Sequence, residues 1–240
     1  MRNGFLGTLF LVAVACSREN AAVNDSTKSQ TSALGTPGSP TKGRQTPNPA
    51  VHLPNPTPPT VLFIGTSLTA GYGLDADSAF PQQIQQKIDS TGLAYEVVNA
   101  GVSGETSSAL VRRLEWLLRQ PFAVVVIETG ANDGLRGIPI ATMRSNIQQI
   151  IERIGVVRPD ARIVLVQMEA PPNLGTAYTR EFRSVFPELA KQNNVVLLPF
   201  LLQDVAGRRE LNQADGIHPN YDGERIVARN VWKGLRPLLR

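Results

Sequence analysis

Ser67 and His218 are the two side chains that could work as a nucleophile and its general base. The chain has two histidines, and the other, His52, lies in a proline-rich segment. Asp215 precedes His218 by three residues, in a loop-like segment that reads DGIHP over 215–219. A serine hydroxyl attacks a carbonyl when a base takes its proton, and the base needs a partner that fixes its tautomer. These three residues therefore predict nucleophilic acyl-transfer chemistry.

Ser67 stands just after a short apolar run, in the segment GTSLT over 65–69. The glycine allows a sharp turn from a strand into a helix. Unpaired backbone N–H groups at a helix start favour developing negative charge. A serine that only caps the helix would suit the same position, so its type and place leave both readings open. The G-x-S-x-G pattern of ordinary α/β-hydrolases is absent around it.

Three other glycine-rich segments could line a cleft or could be plain turns. They read NAGVSGET over 99–106, GANDG over 130–134 and GYGLDA over 71–76. Asn, Asp and Gly are what turns use, and we interpret Asp133 as a turn or cap residue, not as a catalytic one. The third segment has the spacing of a dinucleotide fingerprint. It begins six residues after the last glycine of the apolar run, which argues against that use.

The elements that must position these residues alternate between strand and helix. Short apolar runs predict five strands, at Val61–Ile64, Tyr95–Asn99, Ala123–Glu128, Arg162–Gln167 and Val195–Leu198. Helical periodicities lie between them, and a last helix is expected over 223–235. This alternation predicts an α/β fold with a five-stranded parallel sheet covered on both faces, in the strand order 2-1-3-4-5. Function should then reside just after the strands' carboxyl ends.

Four segments together resemble the SGNH, or GDSL, hydrolase family. They read GTSLTAGYGL (65–74), NAGVSGETS (99–107), GANDGLRG (130–137) and DGIHPN (215–220), and the resemblance covers residues 60–240. It implies a flavodoxin-like α/β/α sandwich and a triad of Ser67, Asp215 and His218. It also implies an oxyanion hole formed by the N–H groups of Ser67 and Gly104 and the side chain of Asn132. Thr66 stands where the motif has aspartate, which puts fine substrate preference in question.

The segments look most similar to bacterial periplasmic thioesterase/lysophospholipase and arylesterase enzymes. That resemblance implies a serine esterase that cleaves aryl esters, lysophospholipids or related (thio)esters through an acyl-enzyme, with no cofactor. The segment after the fourth strand resembles a substrate loop of this branch, and Pro172, Asn173 and Leu174 are its candidate binding residues. Two alternatives stay open: an acetyl esterase acting on cell-wall or polysaccharide sugars, and a non-catalytic ligand-binding module on the same fold.

Composition limits the classes of binding partner that we expect. The formal net charge is +4, of which residues 60–240 carry only +1, since they hold 19 Lys and Arg against 18 Asp and Glu. This balance gives no reason to expect nucleic acid as a partner. With one cysteine, Cys16, and two histidines, an internal disulfide is impossible and a structural zinc site is not expected. We expect no metal, a small-molecule ester substrate and a monomer.

The first 59 residues are typical of a secretion signal followed by a tether. Residues 1–15 have the layout of a secretory signal, and their apolar run is shorter than the roughly 20 residues that a membrane-spanning helix needs. Cys16 follows as in a bacterial lipobox, although Ala13 stands where leucine is usual. Ordinary cleavage that leaves a free cysteine is the alternative. Residues 16–59, rich in Pro, Ser and Thr, predict a disordered tether for a lipid-anchored enzyme of the cell envelope.

The expectation for Cys16 can be tested by cell fractionation. Stable anchoring needs two or more acyl chains, which an alanine at this position cannot carry. Cys16→Ala should therefore move the protein from the membrane fraction to the soluble fraction, or leave it uncleaved. Unchanged fractionation of the variant would contradict lipidation.

Overall fold

The computed structural model describes residues 57–240, which form a central sheet covered by helices. The strands are β1 (Thr60–Gly65), β2 (Glu96–Gly101), β3 (Val124–Ile127), β4 (Arg162–Val166) and β5 (Val196–Leu198). All neighbouring strands are parallel, and their spatial order is β2-β1-β3-β4-β5. The expected five-stranded α/β sheet and its 2-1-3-4-5 order are confirmed.

Seven helices cover the sheet. They are α1 (Ser67–Ala70), α2 (Phe80–Ser90), α3 (Ser107–Leu117), α4 (Ala131–Leu135), α5 (Ile140–Val157), α6 (Thr176–Asn193) and α7 (Tyr221–Leu235), counted within residues 57–240. Helix α2 packs beside α7, while α3 packs beside α5 and α5 beside α6. These two groups form the outer layers of the three-layer sandwich.

The strand register fixes the geometry of the functional edge. Strand β1 pairs with β2 and with β3, so that Gly65 lies opposite Gly101 and Ile64 lies opposite Ile127. The side chains of β1 from Val61 to Ile64 are all at most 1% exposed, as a strand buried on both faces requires. The loops that follow β1, β2 and β3 therefore start side by side.

Most strand ends differ from the sequence-based expectation by one or two residues, and two of these differences bear on the site. Strand β2 continues past Asn99 to Gly101, because its last two residues still pair with the end of β1. The Asn99 side chain accepts the Gly101 N–H and donates to the Thr69 carbonyl. Strand β3 stops at Ile127, so that Glu128 belongs to the following loop and not to the strand. That difference matters, because Glu128 turns towards the loop after β1.

The signal segment 1–15, Cys16, His52 and the tether up to residue 56 lie outside the described residues. Among residues 57–240, no helix is both long enough and apolar enough to cross a membrane.

A buried carboxylate joins the two helices on one face of the sheet. Glu224, in the first turn of α7, accepts a 2.8 Å hydrogen bond from the N–H of Phe80, the first residue of α2. The pKa of Glu224 is raised from an ordinary 4.5 to about 8: burial raises it most, the Phe80 N–H lowers it, and the nearby charge of Glu128 raises it. Glu224 is only 2% exposed, so its carboxyl is held neutral in the core at neutral pH.

This raised pKa predicts a pH-dependent stability. Below pH 4.5 the group is protonated in both states, whereas between pH 4.5 and 8 the unfolded chain releases a proton that the folded protein keeps. The free energy of unfolding should therefore fall as the pH rises through this window. Glu224→Gln, which cannot ionise, should flatten that fall, measured as urea midpoints at pH 5 and pH 8.5.

The matched control is Glu181→Gln, which removes an exposed acid from α6 and should leave the pH dependence as in the unmodified protein. Parallel pH profiles for Glu224→Gln and the unmodified protein would show that Glu224 is not the titrating group.

Candidate active site

Ser67 is the first residue of helix α1, directly after the turn that ends β1. Thr66 is the N-cap of this helix, and its hydroxyl accepts a 3.4 Å hydrogen bond from the Leu68 N–H. The capping role considered for Ser67 is therefore filled by its neighbour. Ser67 is half-buried, and its hydroxyl is available to the cleft.

The loop before α7 brings His218 and Asp215 to this serine. His218 Nε2 lies 2.8 Å from Ser67 Oγ, and His218 Nδ1 lies 2.7 Å from Asp215 Oδ2. The other carboxylate oxygen, Oδ1, accepts the N–H groups of Ile217 and His218 at 2.9 and 3.0 Å. The three residues that the sequence singles out thus form one hydrogen-bonded chain across 151 residues of sequence.

Asp215 stays ionised over the range in which an esterase works. The hydrogen bonds from the His218 backbone N–H and side chain, then that from the Ile217 N–H, lower the pKa of Asp215 from 3.8 to about 2. A carboxylate at Nδ1 holds the proton on that nitrogen and leaves Nε2 free to accept one from Ser67. Since the pKa of Asp215 is lowered to about 2, protonation of Asp215 cannot account for a loss of activity at mildly acidic pH.

The loop after α1 supports the imidazole. The Gln213 side chain donates to the carbonyls of Tyr72 and Pro219, at 2.7 and 2.9 Å, and the Gln213 N–H donates to His218 O at 2.8 Å. The ring of Tyr72 lies 4.7 Å from the imidazole, centroid to centroid. Gly73 has φ +78°, and a Cβ there would lie 2.3 Å from Gln213 Oε1. Gly73 of the fingerprint-like string therefore leaves room for the loop that carries Gln213 and His218.

The segments that follow β2 and β3, on either side of the segment that carries Ser67, contain two further candidate donors, Gly104 and Asn132. Gly104 has φ +76°, a conformation that favours glycine. Within residues 57–240, the N–H groups of Gly104 and Ser67 are donated to no protein acceptor. Asn132 Nδ2 donates one hydrogen bond, of 3.0 Å, to Glu105 O, which leaves its second N–H for another acceptor. This set has the composition of an oxyanion hole.

Carboxylates anchor the loops that carry these donors. Glu105 forms a two-point ion pair with Arg113, at 2.5 and 2.7 Å, and Arg113 also donates to Ala100 O at 2.8 Å. Asp133 is fully buried and accepts the Ser107 N–H at 2.8 Å and the Ser107 hydroxyl at 2.6 Å. Asp133 therefore caps α3 from across the cleft, and it does not contact Ser67 or His218.

Glu128 is a site neighbour that the sequence did not indicate. Its carboxylate is 1% exposed and accepts hydrogen bonds from the Thr66 N–H, the Thr66 hydroxyl and the Thr69 hydroxyl, at 2.8 to 3.0 Å. Burial raises the pKa of Glu128, and the hydrogen bonds from the two threonines lower it. Thr66 is also 1% exposed and faces Glu128, so it lies beneath the cleft. Thr66 therefore shows no contact with the cleft that would support a direct effect on substrate preference.

An apolar cavity of about 290 Å³ adjoins the serine. Its lining includes direct sequence neighbours of the site residues, and its larger apolar side chains are Leu68, Leu135, Met168, Phe200, Leu202 and Ile217. Of the three candidate substrate residues, Pro172 lines the cavity, while Asn173 and Leu174 are exposed outside its lining. No cluster of three or more metal-ligating side chains occurs in the part of the chain that the structure describes.

Comparisons with known proteins agree with this geometry. Residues 63–226 match the family described as GDSL-like Lipase/Acylhydrolase. Esterase TesA of Pseudomonas aeruginosa is 38% identical over 181 residues, which cover 75% of this chain and 89% of that one. Thioesterase 1/protease 1/lysophospholipase L1 of Escherichia coli K12 is also 38% identical over 181 residues, covering 75% and 85%. The crystal structure of the psychrotrophic esterase EstA from Pseudoalteromonas sp., inhibited by monoethylphosphonate, has a TM-score of 0.71 and 34% identity, covering 75% and 98%.

Replacement of Asn132 tests its free N–H as an oxyanion donor. Loss of one such donor typically lowers kcat by about 10²–10³. Asn132→Ala should show that loss with little change in KM or Tm, measured by steady-state kinetics on a nitrophenyl ester and by thermal unfolding. The matched control is Asn193→Ala, because Asn193 donates to the Gln148 side chain and to Leu189 O, away from these loops, and should leave kcat unchanged. A variant of Asn132 that keeps its kcat but unfolds early would make this residue a loop support only.

Proposed function

The chain belongs to the GDSL-like lipase/acylhydrolase family, whose members here are serine esterases of the SGNH type, and we propose that it cleaves carboxylic esters through an acyl-enzyme on Ser67. The observation that carries the proposal is a pair of linked contacts. His218 Nε2 lies 2.8 Å from Ser67 Oγ, and His218 Nδ1 lies 2.7 Å from Asp215 Oδ2. A binding module would have no use for a carboxylate that fixes the tautomer of a base.

In the proposed reaction, Ser67 Oγ attacks the ester carbonyl carbon while its proton passes to His218 Nε2. The carbonyl oxygen becomes an oxyanion, held by the Ser67 and Gly104 N–H groups and by the Asn132 amide. The tetrahedral intermediate then collapses and the C–O bond to the alcohol breaks, with the proton on His218 passing to the leaving oxygen. Water then attacks the acyl carbon of the acyl-enzyme and gives a proton to His218. When this second intermediate collapses, the bond from the acyl carbon to Ser67 Oγ breaks, His218 returns the proton to Oγ, and the carboxylic acid leaves.

The cavity beside Ser67 favours an acyl chain longer than acetyl. It is walled by apolar side chains, and its volume of about 290 Å³ exceeds what an acetyl methyl group would fill. Large apolar side chains are also exposed on loops around the cleft, among them Tyr72, Leu135 and Ile217 at 46–53% exposure. Together these surfaces suit an amphiphilic ester such as a lysophospholipid or a long-chain aryl ester. The esterase and lysophospholipase names of the relatives agree with that class.

We place the enzyme in the bacterial cell envelope, as a monomer tethered by residues 16–59. The support is the signal layout of residues 1–15 and the position of Cys16 directly after them. A substrate that resides in or near a membrane is consistent with an enzyme held at its surface. The fractionation of Cys16→Ala, described above, tests the anchor separately from the chemistry.

A chain-length series of 4-nitrophenyl esters tests both the chemistry and the acyl preference. The unmodified enzyme should hydrolyse the octanoate with a higher kcat/KM than the acetate, and Ser67→Ala should hydrolyse neither. Ala206→Leu places a larger side chain in the cavity lining at an exposed position. It should lower kcat/KM for the octanoate by about tenfold or more and leave the acetate nearly unchanged, because lost apolar contacts are worth roughly 10–200-fold.

The matched control is Ala141→Leu, the same change at an exposed position of α5, and it should leave the series unchanged. A fluorophosphonate should add its mass to Ser67, since monoethylphosphonate inhibits the similar esterase EstA. A preference for acetate in the unmodified enzyme would favour the alternative, an acetyl esterase acting on sugars. Hydrolysis that persists in Ser67→Ala would remove Ser67 from the mechanism.

A further inference from the structure

Glu128 is a buried acid for which the proposed reaction has no use. It takes no part in the hydrogen-bonded chain of Ser67, His218 and Asp215, yet all of its bonding partners belong to the turn that carries the nucleophile. These partners are the Thr66 N–H at 2.8 Å, the Thr66 hydroxyl at 2.9 Å and the Thr69 hydroxyl at 2.9 Å. Burying a carboxylate costs folding free energy unless the group is fully hydrogen-bonded, so simple packing does not explain an acid at this position.

Of the three successive N–H groups of the turn, the first and third are hydrogen-bonded and the second is free within residues 57–240. The first, of Thr66, is bound by Glu128, and the third, of Leu68, is bound by the Thr66 hydroxyl. The middle one, of Ser67, has no protein acceptor within residues 57–240. The hydroxyl that binds the third N–H is itself oriented by its donation to Glu128.

Resting on the proposed function, we propose that Glu128 is a positioning residue for Ser67. With Thr66 as its relay, it holds the turn so that the Ser67 N–H is the one free to meet the oxyanion and Ser67 Oγ stays in line with His218. Thr69 and Glu128 pack directly against the backbone of Gly65, where a Cβ would lie 2.1 Å from Thr69 Oγ1 and 2.7 Å from Glu128 Oε2, so this close approach requires glycine. The identity of residue 66 as a hydroxyl residue thereby becomes part of the catalytic geometry.

The first test compares two substitutions of Thr66. Thr66→Val keeps the shape but removes the hydroxyl, so that the Leu68 N–H is unpaired and Glu128 loses a donor. It should lower kcat by about 10–100-fold with KM within about twofold, as expected when a reacting group is displaced by a fraction of an ångström or more. Thr66→Ser restores the hydroxyl and should restore kcat. The rate of phosphonate labelling of Ser67 should follow kcat.

The matched control is Thr129→Val. Thr129 follows Glu128 directly and is 1% exposed, and its hydroxyl has no partner among the described residues. The same chemical change there removes no hydrogen bond, so kcat should stay at the unmodified value. A Thr66→Val enzyme that keeps its kcat, whether or not its Tm falls, would overturn the proposal.

The second test addresses Glu128 itself. Glu128→Gln should lower kcat by about tenfold, and Glu224→Gln, a buried acid that bonds α2 instead, should not. The double variant Thr66→Val/Glu128→Gln should be no slower than the slower single variant, because both changes break one connected unit. Losses that multiply, or an unchanged kcat in Glu128→Gln, would overturn the positioning role. If Glu128→Gln does not fold, the Thr66 pair decides.

These outcomes are separate from a failure of the proposed function. If the unmodified protein cleaves no ester and takes up no phosphonate, the esterase proposal fails. If it does both while the Thr66 and Glu128 variants match it in kcat, only the positioning role fails.

Discussion

The register of β1 between its two neighbours is the constraint on which the active site depends. Because Gly65 lies opposite Gly101 and Ile64 lies opposite Ile127, the loops that follow β2 and β3 each start one strand spacing from the loop that follows β1. One loop carries Ser67, the second carries Gly104 and the third carries Asn132. A slip of one residue in either pairing would turn each strand's side chains to the opposite face and separate the donors from the nucleophile.

Backbone pairing brings the loops together, but buried carboxylates set their conformations. Glu128 holds the first loop, the Glu105–Arg113 ion pair holds the second, and Asp133 joins the third to the start of α3. Each acid is bonded to groups in neighbouring chain segments, so its burial is compensated only when those segments are in place. The cleft is therefore built from polar anchors below a surface where the Ser67 and Gly104 N–H groups remain available.

The sequence was sufficient for the architecture and for the residues of the hydrogen-bonded chain. Apolar runs reveal strands buried on both faces, and His218 stood out because few residues in the chain could act as a base. It was not sufficient for Glu128 or Glu224. A glutamate that ends an apolar run looks like an ordinary exposed strand terminus, and a glutamate in a first helical turn looks like a favourable helix-start charge. Their burial depends on tertiary contacts with Thr66 and Phe80, which local patterns do not encode.

Thr66 shows how a sequence motif and the folded structure can suggest different roles for one residue. By sequence it is a departure from the aspartate of the motif, and a departure next to a nucleophile suggests altered specificity. In the folded protein its side chain is turned away from the cleft, where it caps α1 and donates to Glu128. An aspartate there would place a second carboxylate against Glu128, and two buried acids in contact cannot both ionise without a large cost. A threonine instead gives Glu128 a neutral hydroxyl donor, so no second acid lies against it. The substitution thus bears first on the electrostatics beneath the nucleophile, and on substrate only through Ser67.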